Sequence, residues 1–403
     1  MSYIKKIGTT FLVKLLIAVL NLFILIITAR ELGASVRGQI SLLMVVLAAG
    51  VIIAELLSGP VLVYWTSRIK TRQLLQYAYG WISVVSLLML LPVYWYDWFP
   101  GISALVLFSM LFFLSAAGAH GQILLGRGKV MLNNICGLIG PLYLFLVCVF
   151  GWRWGVFGFN DFVLHLGISY CLAWLFSGIF LMRTSDVSPV FYDGSLGLQS
   201  VARSGIFNQS SSLFTLAGSR LNFILLEASA GISAVGVFSS ALAFSESALI
   251  ISGSISLVLI AGLVNQTLAE QNKKSILLQA LISGLLTLSA MVILYLIPEE
   301  FFSALLSKDF RGVHALFLVL MPGIFCAGTG SVLTHYFSGN GWYHLNALIS
   351  FCGLLVWAAS SYFFAQSASP LMGAAYAFSL GWFFVMLLNF LVFFFRKTTR
   401  INF

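Results

Sequence analysis

Continuous apolar runs of about 20 residues recur along the whole chain, and each is long enough to cross a bilayer as a helix. Twelve are legible in the 403 residues: 9–29, 38–65, 75–94, 102–125, 135–150, 162–182, 204–226, 236–264, 276–297, 312–336, 346–364 and 371–395. Inside hydrocarbon a backbone must satisfy its own N–H and C=O groups, so a spanning chain forms either helices or a closed barrel. The runs are continuous and do not alternate, which argues against barrel strands. Composition agrees, because 60% hydrophobic and 8% charged residues leave too little polar side chain to cover a water-soluble fold. The expected fold class is an all-α polytopic membrane protein.

Two short patterns each occur twice, in the same order. Gly33-Ala34-Ser35-Val36-Arg37-Gly38 with Ser41 reads G-x-S-x-x-G-x-x-S, and so does Gly231-Ile232-Ser233-Ala234-Val235-Gly236 with Ser239. Gly126-Arg127-Gly128 with Leu132-Asn133 returns as Gly339-Asn340-Gly341 with Leu345-Asn346. Ordered matches at similar offsets point to a duplicated chain. Six spans per half is an even number, so both halves insert in the same orientation, related by an axis along the membrane normal. The division expected is an N-terminal six-helix bundle over 1–182, a cytoplasmic linker over 183–203 and a C-terminal six-helix bundle over 204–403. The linker is the longest polar stretch, and no loop is long enough for a soluble domain. Pro60, Pro141 and Pro322 fall in spans or at their edges, as bends or flexing points.

The net charge of +9 invites a nucleic-acid reading, but its distribution argues against one. With the N-terminus inside, fourteen of the 21 Lys and Arg fall in cytoplasmic segments and five outside; Lys14 and Arg220 lie within spans. The positive-inside rule accounts for this bias and puts both termini in the cytoplasm. Tyr94, Trp95, Trp98, Trp152, Trp154 and Trp342 fall at expected interfaces, as an aromatic belt. The first run carries Lys14 and no small-residue cleavage site, so it reads as a retained span. Cys136, Cys148, Cys171, Cys326 and Cys352 all lie in spans without C-x-x-C spacing and read as core filler.

Charges inside spans are the strongest functional leads, because each costs several kcal/mol unless it is solvated or paired. There are four: Lys14, Glu55, Arg220 and Glu246. Counted from the hairpin tips near Ala34 and Ile232, Lys14 is level with Glu55, and Arg220 with Glu246. Thr10, Lys14, Asn21 and Thr28 share one helical face; Asn208, Ser212, Thr215, Ser219 and Asn222 share another. The repeat offset maps Thr10 to Asn208, Lys14 to Ser212 and Asn21 to Ser219, so the stripes are equivalent. Two readings stand: the stripes line a hydrated cavity between the halves, or Lys14–Glu55 and Arg220–Glu246 are structural ion pairs. The first makes Lys14, Asn21, Ser212, Ser219, Arg220 and Asn222 substrate-facing, with Glu55 and Glu246 as coupling or ion-pair acids.

Signals for enzyme chemistry are weak. There is no P-loop, and the G-x-G at 126–128 lacks the third glycine and the strand of a dinucleotide site. His120, His165, His314, His335 and His344 show no metal-ligand spacing. His335 maps beside His120 across the repeat, as an interfacial histidine or a proton-linked one. A transporter without a cofactor is expected, and coupling to a proton or sodium gradient is left open by the sequence.

Thr28-Ala29-Arg30-Glu31-Leu32-Gly33-Ala34-Ser35-Val36-Arg37-Gly38 resembles the A-R-x-L-G…G pattern that closes the first span of bacterial polysaccharide flippases. These are the Wzx-type members of the multidrug/oligosaccharidyl-lipid/polysaccharide (MOP) exporter superfamily. Gly126-Arg127-Gly128-Lys129 is similar to that family's loop after span four. The resemblance implies a V-shaped pair of six-helix bundles in the bacterial inner membrane, with a cationic central cavity. It implies movement of undecaprenyl-pyrophosphate-linked oligosaccharide, an O-antigen or other surface-polysaccharide unit, between leaflets. Membrane lipids and other polysaccharide-assembly membrane proteins would then be partners. Lys14 and Arg220 suit an anionic pyrophosphate by charge. Multidrug members often carry an acid in span one or seven, where this chain has Lys14 and Arg220. The competing readings are an ion-coupled small-molecule exporter of the same superfamily, with Glu55 and Glu246 coupling, a membrane polysaccharide polymerase or glycosyltransferase, and a structural scaffold. The longest outer stretch, near 298–311, is short for the large catalytic loop a polymerase is expected to need, and a scaffold gives no reason for matched polar stripes.

Overall fold

A computed structural model describes residues 3–66, 69–95, 99, 101–154, 158–184, 198–250, 253, 273–367 and 369–395. Every regular element among them is helical, as the unbroken apolar runs require. The chain divides into two compact units, Met1–Gln209 and Ser210–Phe403.

The first unit holds α1 (Tyr3–Ser58), α2 (Val61–Trp65), α3 (Thr71–Leu88), α4 (Leu90–Trp95), α5 (Ala104–Gly126), α6 (Val130–Trp154) and α7 (Phe159–Met182). Helix α8 (Leu198–Ala230) begins in the first unit, inside the stretch read as a linker, and continues in the second. The second unit adds α9 (Ile232–Ser247), α10 (Lys273–Leu296), α11 (Glu299–Leu306), α12 (Val313–Gly339), α13 (Tyr343–Ala365) and α14 (Pro370–Phe395). Nine helices among the described residues are long and apolar enough to span a bilayer; the first, Leu12–Val63, is two spans joined at Gly33. Helix α8 falls below that hydropathy because Asn208, Gln209, Ser210, Ser211, Ser212, Thr215, Ser219 and Asn222 crowd into it.

Each duplicated motif folds alike in both units. Gly33 has φ 77 and ψ 176, and Gly231 has φ 84 and ψ 169, a region open in practice to glycine alone. That conformation turns one helix into the next without a loop. The second motif closes α5 and α12 with the same left-handed cap. Gly128 and Gly341 have φ 71 and 74. Lys129 N donates to Leu124 O at 2.8 Å, and Trp342 N to Phe337 O at 2.9 Å. Gly128 N donates to Leu125 O at 2.9 Å, and Gly341 N to Ser338 O at 3.0 Å. These paired bonds satisfy the last carbonyls of each helix. The resulting reversal lays α6 beside α5 and α13 beside α12.

In the first unit α5 is the hub, packed against α7, α3 and α1, while α6 lies between α1 and α7. In the second, α12 takes the same role against α14, α10 and α9. Trp357 of α13 is fully buried, and glycines make room for it. A Cβ on Gly381 would lie 2.0 Å from Trp357 Nε1, and one on Gly218 2.1 Å from its Cε3. Trp342 is a correction to the aromatic-belt expectation. It is buried, with its ring 6.0 Å from Tyr336 and 6.2 Å from Phe337, because the glycine cap folds it back onto α12. Trp95 is 85% exposed and Tyr94 about half so, as belt residues would be. Trp98 and the side chains of Trp152 and Trp154 lie outside the described residues. The five cysteines are free, with Cys136, Cys148 and Cys326 buried.

Candidate functional site

The four charges inside spans meet different fates. Arg220 Nη2 lies 2.8 Å from Glu246 Oε2, joining α8 to α9. The side chains retain 21% and 31% of their exposure, so the pair is only partly withdrawn from water. The guanidinium carbon sits 5.5 Å over the Phe223 ring, one turn along α8. A cation over a π face gains a further contact of about 0.5–1 kcal/mol. In the first unit the expected couple does not form. Glu55 accepts from Gln209 Nε2 at 3.1 Å, and Lys14 is exposed, with no ion pair to Glu55 among the described residues. One carboxylate therefore faces a cation and the other a neutral amide.

The polar stripes are also sorted by the fold. On α1, Asn21 is exposed like Lys14, while Thr10 accepts from Asn134 Nδ2 of α6 at 3.0 Å and Thr28 is buried on its own helix carbonyls. On α8, Ser212 is exposed, matching its repeat partner Lys14. Ser219 and Asn222 are buried, and Asn222 Nδ2 has no partner among the described residues. The side chain of Asn208 lies outside the described residues.

Two arrangements escaped sequence reasoning. The first is a closed ring of hydrogen bonds in the first unit. Trp174 Nε1 donates to Tyr79 OH at 3.1 Å, and Tyr79 OH meets His120 Nε2. His120 Nδ1 is 2.8 Å from Ser177 Oγ, which donates to Trp174 O at 3.0 Å. Because Ser177 spends its proton on Trp174 O, His120 must donate from Nδ1 and accept at Nε2 from Tyr79. One heptad along α5, Arg127 donates to Thr184 O at 2.9 Å, to Leu181 O at 3.1 Å and to Thr71 Oγ1. The two layers tie α3, α5 and α7 into one block.

The second arrangement is a half-open chamber of about 250 Å³ in the second unit. Its polar lining comes from Ser211 and Thr215 of α8, Ser331, Thr334 and His335 of α12, Asn346 and Ser350 of α13, and Asn389 of α14. Ser350 Oγ bonds to Ser211 Oγ at 2.9 Å and accepts from Thr215 Oγ1 at 3.1 Å. Asn346 is the asparagine of the second repeated motif, which was the available signal. Thr215 lies on the polar stripe of α8 and His335 maps beside His120 across the repeat, but nothing in the sequence joins them to Ser350 and Asn389.

Comparisons with known proteins place the fold. No protein-family model matches the chain, and no curated protein sequence is significantly similar to it. Solved structures do match. An inward-facing multidrug resistance MATE family transporter of the MOP superfamily aligns at TM-score 0.73 and 16% identity, over 94% of this chain and 93% of its own. The chain shares the fold of this transporter. The MATE multidrug transporter DinF-BH aligns at TM-score 0.72 and 14% identity, over 98% and 96%. The lipid II flippase MurJ, in an inward closed conformation, aligns at TM-score 0.68 and 13% identity, over 95% and 87%. One architecture thus serves multidrug transport in some of these proteins and lipid flipping in another.

Proposed function

We propose that the chain is a flippase of the bacterial inner membrane, moving undecaprenyl-pyrophosphate-linked oligosaccharide by alternating access, with both termini in the cytoplasm. The glycan is an O-antigen or another surface-polysaccharide unit, handed on to polysaccharide-assembly membrane proteins. The observation that carries this reading is the Arg220–Glu246 pair. Its guanidinium is compensated by a carboxylate at 2.8 Å and stays partly accessible to water. A diphosphate offers more acceptor oxygens and more charge than that carboxylate, so it can take over the guanidinium fork. Lys14, exposed in the first span, is a second cation suited by charge to a pyrophosphate. Asn21 and Ser212, both exposed, offer neutral hydrogen bonds to substrate, Ser219 and Asn222 are buried on either side of Arg220 in sequence, and Glu55 and Glu246 restore neutrality when substrate has left.

The multidrug-exporter reading has its own support in Glu55. Its only side-chain partner among the described residues is the Gln209 amide, which leaves a carboxylate free to receive a cationic drug or a coupling ion. Two assays separate the readings: surface-glycan complementation of a flippase-deficient strain, and efflux of the cationic dye ethidium. The flippase reading expects Lys14→Ala and Arg220→Ala to lose glycan export, with ethidium efflux absent in every variant. Ethidium efflux that depends on Glu55, with glycan export absent, overturns it.

A further inference from the structure

The repeat separates what the first glycine turn needs from what it carries besides. Gly126-Arg127-Gly128-Lys129 and Gly339-Asn340-Gly341-Trp342 close their helices with the same left-handed cap. In the second unit Asn340 Nδ2 turns back onto its own helix, donating to Tyr336 O at 2.8 Å, and Trp342 is buried. In the first unit Arg127 reaches outward instead. It donates to Leu181 O at 3.1 Å, to Thr184 O at 2.9 Å and to Thr184 Oγ1 at the end of α7, and to Thr71 Oγ1 at the start of α3. One guanidinium thus fixes three chain segments side by side at one end of the unit.

Those segments carry four more cations to the same place. Lys70 and Arg72 flank Thr71, Arg183 precedes Thr184, and Lys129 is two residues beyond Arg127. All four are exposed, and none has an ion pair among the described residues. The described acids of this unit are engaged elsewhere: Glu31 with Arg30, Glu55 with Gln209, and Asp161 with Gly158 N. A cation at a helix C-terminus can serve simply to compensate the last carbonyls. Here Arg127 already takes Leu181 O and Thr184 O, so the four exposed charges remain for something outside the chain. Held as neighbours they repel one another, a cost that a bound anion relieves. Apolar surface lies beside them. Met182, next to Arg183, is 80% exposed, and Met131, two residues after Lys129, is 50% exposed. Fixed cations with an open apolar edge match a phosphate joined to acyl chains, whereas a soluble anion has no use for that edge.

We propose that Lys70, Arg72, Lys129 and Arg183 bind the phosphate headgroup of an anionic phospholipid at this end of the first unit. Arg127 is the positioning residue, and Met131 and Met182 lie along the acyl chains. The matching turn of the second unit, with Asn340 and Trp342, offers no cation for such a headgroup. That the site serves the cytoplasmic leaflet rests on the orientation proposed above; the binding itself does not.

The test is reductive methylation of the full-length protein in phosphatidylcholine nanodiscs with a graded fraction of phosphatidylglycerol, each lysine being followed by peptide mass spectrometry. Lys308, exposed beside Asp309 in the second unit, reports the general effect of an anionic surface. Phosphatidylglycerol should slow the labelling of Lys70 and Lys129 well beyond that of Lys308. Arg72→Gln and Arg183→Gln should raise the fraction needed for half-protection by about fivefold for each cation removed. Arg127→Asn, which installs the side chain of the second turn, should lose the protection with all four exposed cations still present. If that variant does not fold, the Arg72 and Arg183 variants still decide. Inorganic phosphate added to phosphatidylcholine discs should protect neither lysine. Equal slowing at Lys308, half-protection unmoved by the Arg72 and Arg183 variants, or protection by inorganic phosphate would each overturn the proposal. So would lysines already protected in pure phosphatidylcholine, because the linker acids Asp186 and Asp193, outside the described residues, would then be meeting the charge. No oligosaccharide lipid enters the experiment, so failure of the flippase reading does not change its outcome.

Discussion

Removing Arg220 separates a structural ion pair from a substrate contact, provided that its partner is removed as well. At 2.8 Å and an effective dielectric of about 20, the gross attraction between Arg220 and Glu246 is roughly 6 kcal/mol. Partial exposure, desolvation and the ordering of two long side chains offset most of it, leaving about 1–2 kcal/mol net. Arg220→Ala should therefore lower the melting temperature of the detergent-purified protein by about 2–5 °C. Glu246→Ala should cost a similar amount, since each variant strands the partner's charge. The double variant removes both charges and should recover most of the loss, with a coupling energy of about 1–2 kcal/mol. Export of surface glycan in a flippase-deficient strain should behave differently: lost in Arg220→Ala, and still lost in the double variant, whose membrane abundance is normal. Arg220→Lys should keep part of the activity, having the charge without the fork. Export restored by the double variant would refute the reasoning, since Arg220 would then serve only to neutralise Glu246.

Three further outcomes follow from the packing. Gly231→Ala should destabilise the protein by about 1–3 kcal/mol, measured by thermal unfolding, purely through φ 84 and ψ 169, because a Cβ there meets nothing within 4 Å. Gly381→Ala should be tolerated less well, because its Cβ would lie 2.0 Å from Trp357 Nε1 in a core that cannot yield; membrane abundance reads this out. Tyr79→Phe should cost about 1–3 kcal/mol by stranding His120 Nε2 and Trp174 Nε1, and should release His120 to diethylpyrocarbonate.

The spans and the repeat were legible because both rest on local rules. Length and hydropathy mark a membrane helix, and Gly33, Gly231, Gly128 and Gly341 stand where only glycine holds the backbone cheaply. Arg220 and Glu246 could be matched because one short turn separates their helices, so counting residues from the tip gives their level. The same count puts Lys14 level with Glu55 across an equally short turn at Gly33, yet no ion pair joins them among the described residues. Side-chain direction and the approach of Gln209, 154 positions away, decided that contact, and neither is periodic in sequence. Trp342 was misread for a related reason: a tryptophan beside a loop looks interfacial until the αL cap turns it inward. The chamber and the His120 ring draw their polar residues from four helices and three helices respectively, so single members such as Asn346 and His335 stood out in sequence but their grouping exists only after packing.

The most direct measurement is translocation in proteoliposomes of purified protein, with a fluorescent oligosaccharide carried on undecaprenyl pyrophosphate and its leaflet read by a membrane-impermeant quencher. The wild type should move the lipid across the bilayer much faster than protein-free vesicles do, and Arg220→Ala at equal protein density should match the protein-free rate. Equal rates with and without the wild-type protein, under an imposed proton gradient of either direction, would contradict the flippase account.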